Sequence, residues 1–199
     1  MIYLSGVVYP GLAHPRLGFL MQLRGKNLIP PGVPVAVDNG CFNRPEDYSD
    51  ARYAARLEQF PRDRTRFATA PDVLGDHAAT VSRSRPVLRM IRDLGLPAAF
   101  VAQDGWEERT TPWDEFDVLF IGGTTGFKFR GGYAATRAAL RRGKTVHMGR
   151  VNSLRKLRAA AMIGCASADG THIRFLPRKR SREVISWLDS LQHQPAHRL

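Results

Sequence analysis

Acids and amides recur directly behind short apolar runs in this chain, and carboxylates placed that way can do chemistry. Asp38-Asn39-Gly40-Cys41-Phe42 follows residues 33–37, and Pro71-Asp72-Val73-Leu74-Gly75-Asp76 follows 66–70. Gln103-Asp104-Gly105 follows 98–102, and Gly122-Gly123-Thr124-Thr125-Gly126 follows 118–121. Gly149-Arg150-Val151-Asn152 follows 145–148, and Asp169-Gly170-Thr171 follows 165–168. Two converging carboxylates suit a sugar carbon, one attacking as the leaving group departs and the other moving a proton. Gln103 offers a donor and an acceptor to the edge of a base, and glycines let backbone amides approach a flat ligand. Each residue also has a plain structural role. Asp38 and Asp169 can start turns, Asp76 can cap a helix, and Gly122-Gly123 can be a simple connection. Asp104 stands evenly between turn former and site residue. Phe42, Trp106 and Phe127 could stack on a base, but core packing suits them as well. Cys41 and Cys165 read as small buried hydrophobes and His147 as a packed strand histidine; nothing local activates a Cys41–His147 pair.

The elements that must position these residues alternate. Apolar runs at 2–8, 33–37, 66–70, 98–102, 118–121, 145–148 and 165–168 read as buried parallel strands, with 172–176 as an eighth. Helical periodicity lies between them at 46–60, 76–94, 133–142, 154–163 and 182–191. Asp76 and Ser153 are caps, and Gly95, Gly143 and Gly164 are stops. Seven or eight strands alternating with helices predict an α/β chain folded as a compact (β/α)8 TIM-like barrel. The rival is an open doubly wound sheet, but no G-x-G-x-x-G follows the first strand. In either architecture the reactive groups gather at the carboxyl ends of the strands. Residues 1–191 are expected to form one domain, with 192–199 a frayed tail.

The chain has 199 residues and a net charge of +12, from 30 Lys+Arg against 18 Asp+Glu. That balance favours a polyanionic partner, foremost nucleic acid. Lys128, Arg130, Arg150, Asn152, Arg174, Arg178, Lys179 and Arg180 share loops with the acids and are the expected nucleic-acid contacts. Two cysteines exclude a disulfide framework or a four-cysteine zinc site, and no ligand spacing suggests a metal. No cofactor is expected. No apolar run is long enough to span a membrane, and the N-terminus does not read as a signal peptide, so a cytoplasmic location is expected. Composition does not fix the oligomeric state.

The ordered strand-end set, from Asp38-Asn39-Gly40 to Asp169-Gly170-Thr171, resembles the tRNA-guanine transglycosylase superfamily. Within it, the set resembles the DpdA-like 7-deazaguanine DNA transglycosylases of phage and bacteria. The resemblance implies a barrel that replaces guanine in DNA with a free 7-deazaguanine of the preQ0 type. It implies Asp169 as the nucleophile at C1′ and Asp38 as the general acid/base. Asp72, Gln103, Gly122 and Gly123 would hold the base. The cysteine-rich zinc segment of the tRNA enzymes has no counterpart here, which points to DNA rather than tRNA. A DNA base glycosidase and a non-catalytic DNA-binding protein are the alternatives.

Overall fold

The computed structural model describes residues 1–7, 14–23, 29, 31–41 and 45–191. Eight parallel strands close into a barrel in sequence order: β1 (Ile2–Ser5), β2 (Leu17–Met21), β3 (Val35–Val37), β4 (Thr65–Thr69), β5 (Ala98–Ala102), β6 (Val118–Ile121), β7 (Thr145–Met148) and β8 (Ser167–Asp169). Closure pairs Ile2 with Ser167 and Leu4 with Asp169. Around the strands lie α1 (Asp50–Leu57), α2 (His77–Asp93), α3 (Thr125–Phe129), α4 (Gly131–Arg141), α5 (Leu154–Met162) and α6 (Pro177–Ser190). Among the described residues no helix is long and apolar enough to cross a membrane.

Period-two alternation sorts the strand residues into two layers. Leu4, Ala36, Phe67, Ala99 and Val118 form a small cluster, with Ile2, Leu20 and Phe120 against it; this fills the barrel. Their neighbours Tyr3, Val35, Val37, Ala68, Phe100, Leu119 and Ala168 belong to the larger cluster, which packs the strands on the helices. The alanines opposite Phe67 and Phe120 leave room for those rings in so narrow a core. The same alternation carries one step past the strands. It directs Asp38, Gln103, Gly122, Gly149 and Asp169 inward at the carboxyl end, the face where barrel sites form.

The expected barrel is present, and several elements differ from expectation. β2 was not anticipated, because Gly18 breaks the strand pattern. The structure explains that glycine: a Cβ there would collide with the Pro34 carbonyl oxygen and come within 2.9 Å of Leu4 Cδ2. The expected strand at 172–176 is a 3-10 turn over His172–Phe175, and the closing strand is Ser167–Asp169 instead. α3 occupies what read as a glycine loop, started by Thr124, whose hydroxyl accepts from Phe127 N. α6 begins at Pro177, a favourable first-turn residue, and not at Arg182. The caps Asp76 and Ser153 stand where expected. The tail 192–199 lies outside the described residues, as does Phe42.

Candidate functional site

Asp169 ends β8 beside the end of β7, and that pairing fixes its partners. His147 Nε2 is 3.0 Å from Asp169 Oδ1, and His147 Nδ1 is 2.8 Å from Ser167 Oγ. With Nε2 protonated, His147 donates to the carboxylate and accepts from the Ser167 hydroxyl. The other oxygen, Oδ2, accepts the Arg150 backbone N–H at 3.3 Å. Arg150 reaches that position with a φ of +59°, an uncommon and strained conformation for a side chain of this type. The turn also lets its guanidinium donate to the Gly123 carbonyl at 2.7 Å. Gly149 keeps the approach open, since a Cβ there would lie 2.7 Å from the Phe120 ring and 3.3 Å from Asp169 Oδ1. His147 is fully buried, so it holds the carboxylate from behind and leaves the mouth side open.

Asp38 follows β3 and accepts the Gly40 N–H at 3.3 Å. Gly40 takes a φ of +76°, which closes this short turn without strain. Burial raises the Asp38 carboxyl to about 6, and the negative charges of Asp169 and Asp72 add to the rise against the Gly40 hydrogen bond. Asp72 is also raised by burial, opposed chiefly by its hydrogen bond from Gln103 Nε2 at 2.5 Å. Gln103 Oε1 in turn accepts the Gly75 N–H at 3.2 Å. Lys128 donates to the Gly149 carbonyl at 2.5 Å, and burial with repulsion from Arg150 lowers its ammonium to about 8. The mouth thus joins a carboxyl poised to hold a proton, a second carboxyl that accepts from two donors, and two cations beside it.

The residues expected to act together therefore divide. Asp38, Asp72, Gln103, Lys128, Arg150 and Asp169 form one electrostatic unit. Gly122 and Gly123 sit at the same rim, but both meet packing requirements of their own. A Cβ on Gly122 would lie 2.5 Å from Val101 Cγ1 and 3.1 Å from Gln103 Nε2. Gly123 has a φ of +68°, and its Cβ would lie 2.7 Å from Asp104 Oδ2. Asp104 is a loop clamp, accepting from Thr124 N at 2.8 Å and Thr124 Oγ1 at 2.6 Å. Asn152 accepts the Thr171 N–H at 2.7 Å. Arg130, Arg174, Arg178 and Lys179 are exposed and make no ion pair among the described residues. Arg180 is committed to Glu183 at 2.8 Å beside His172, which weakens its claim as a phosphate contact. Trp106 packs on Trp113, and Phe127 packs against Gly123 and Gly131, so neither stacks at the mouth. Burial pushes the Cys41 thiol up to about 11, which leaves it inert.

Two residues were not singled out as parts of the site. His147 was read as a packed histidine. Its signal was polarity inside the otherwise apolar run Thr-Val-His-Met, beside a strand that ends in an acid. Arg83 on α2 donates to the Asp72 carbonyl at 3.2 Å and to Cys41 Sγ at 3.5 Å. No spacing in the sequence marks it.

No family model matches the chain, and no curated protein matches it. Among solved structures it is similar to an HpcH/HpaI aldolase from Desulfitobacterium hafniense DCB-2. That match has a TM-score of 0.54 and 12% identity, covering 100% of this chain and 95% of that one. It is also similar to the Bacillus subtilis YkuI protein with an EAL domain, solved with substrate c-di-GMP and calcium. There the TM-score is 0.43 and the identity 14%, covering 85% of this chain and 46% of that one. The chain thus spans just under half the length of the second structure. The first likeness establishes a shared barrel fold; the second is too distant to add to it.

These findings correct the resemblance to the transglycosylase superfamily. The solved barrel whose fold it shares is an HpcH/HpaI aldolase, not a tRNA-guanine transglycosylase. The DpdA-like assignment falls, and with it guanine exchange, the glycosyl intermediate on Asp169, and the free 7-deazaguanine (preQ0-type) co-substrate. The physical reason lies in the motif set itself. Gly40, Gly75, Gly105 and Gly123 all take positive φ, Asp76 caps α2, and Asp104 clamps a loop. Much of the ordered pattern is what strand-to-helix turns in a small barrel require, so it reported the fold and not the reaction.

Proposed function

We propose that the chain is an enzyme that binds DNA at the carboxyl end of the barrel and cleaves a bond there by carboxylate acid–base chemistry. Asp38 is the proton donor to the leaving group, and Asp169 is the base that takes a proton from the water replacing it. The observation that carries this reading is the contrast between the two acids. Asp38 is held protonated up to about 6, whereas Asp169 is held by donors on both oxygens. Paired carboxyls in unlike environments divide acid and base roles. The cations around them supply the attraction for a polyanion, and a nucleic-acid substrate suits a cytoplasmic site of action.

Mass analysis of DNA and of small products released on incubation with the protein tests this. The wild-type chain should produce altered DNA or released fragments. Asp169→Asn should lower the rate at least about a hundredfold while DNA affinity stays within about twofold. Undiminished turnover in that variant, or no product from the wild-type chain across single- and double-stranded DNA, overturns the reading.

A further inference from the structure

A cavity of about 370 Å³ opens beside the mouth, among α3, α4 and α5. Its size lies within the roughly 300–1,000 Å³ of small-ligand sites. Phe129 and Tyr133 form one wall, and Ile163 lies on the other side. Phe129 is 58% exposed, a large apolar surface to leave in water. Lys128, Arg150 and Lys156 also line the cavity, and among the described residues no acid does. Lys128 feels repulsion from both other cations, offset in part by Asp169 at the neighbouring site. An anion between them would relieve that repulsion, and a flat ring would cover the aromatic wall. An aliphatic ligand would bring no charge to the lysines, and a bare phosphate would leave the ring surface wet.

The geometry points to a nucleotide pocket: a base against Phe129 and Tyr133, with its phosphate on Lys128, Lys156 and Arg150. Arg150 also borders Asp169 through its backbone, so the pocket continues into the acid site. Resting on the DNA reading above, its occupant is the nucleotide next to the one that reacts.

Calorimetric titration of the full chain with thymidine 5′-monophosphate, inorganic phosphate and thymidine tests the pocket. The monophosphate should bind one site about tenfold more tightly than either fragment, a gain expected from a charge-assisted contact plus stacking. Lys156→Ala and Tyr133→Ala should each weaken it about tenfold, and Arg66→Ala on the opposite face should not. Wild-type affinity in the two pocket variants, or no saturable binding by the wild-type chain, overturns the pocket. The two proposals fail separately. Monophosphate binding that follows Lys156 and Tyr133, without any DNA turnover, removes the enzymatic reading and keeps the pocket. DNA turnover without monophosphate binding does the reverse.

Discussion

Asp38 holds a proton up to about 6 because its carboxyl is buried near two other acids, against an ordinary value of 3.8. Ionising it within the fold is therefore unfavourable, and the sign of its effect on stability follows. The contribution is complete below the unfolded value near 4 and is lost as pH rises through about 6. Asp38→Asn keeps an acceptor for the Gly40 N–H and removes the ionisation. That variant should be more stable than wild type by about 2 kcal/mol at pH 8, and nearly equal to it at pH 4, in urea melts at both values. It should also lose turnover, whereas the wild-type rate should fall as pH rises past about 6. A variant less stable at pH 8 would contradict the buried, proton-holding role. The sequence showed Asp38 and Asp169 as a pair of strand-end acids, and the spacing of an alternating fold was enough for that. It did not show which one keeps its proton. That depends on how deeply Asp38 is buried and on Asp72, which reaches the mouth from the connection after β4.

Elements were legible wherever burial and periodicity agreed, and illegible where one residue served a neighbour. Seven strands show as apolar runs because parallel strands are covered on both faces. β2 does not, because Gly18 answers to Pro34, just before the adjacent strand, and not to its own strand's pattern. Gly18→Ala should therefore destabilise the fold by about 2 kcal/mol, more than the usual gain from replacing a flexible glycine. Thermal unfolding of that variant checks the point; an unchanged midpoint would mean that β2 can move away from β3. The run 172–176 misled for the opposite reason. It has strand-like residues, but the barrel has already closed at Asp169, and no strand edge remains for it to join. Ile173 is buried instead in the packing beneath α6, and His172 stacks on Trp187.

Ion pairs such as Arg16–Asp189 at 2.9 Å and Arg92–Asp117 at 3.8 Å occupy the amino-terminal ends of the strands. At the carboxyl end Arg130, Arg174, Arg178 and Lys179 carry no such partner among the described residues. Three of the four α6 first-turn positions after Pro177 hold Lys or Arg, although a helix start favours acids. A polyanion at the mouth would repay that unfavourable placement. Counterion release makes this measurable, because each phosphate neutralised steepens the dependence of log affinity on log salt by roughly 0.9 for duplex DNA. Arg178→Ala should flatten the slope by about 0.9 in fluorescence anisotropy with labelled DNA. Arg180→Ala should flatten it much less, since its guanidinium is held by Glu183. Equal slopes in wild type and Arg178→Ala would remove α6 from the interface. A larger loss from Arg180 than from Arg178 would mean that the Glu183 pair opens when DNA binds.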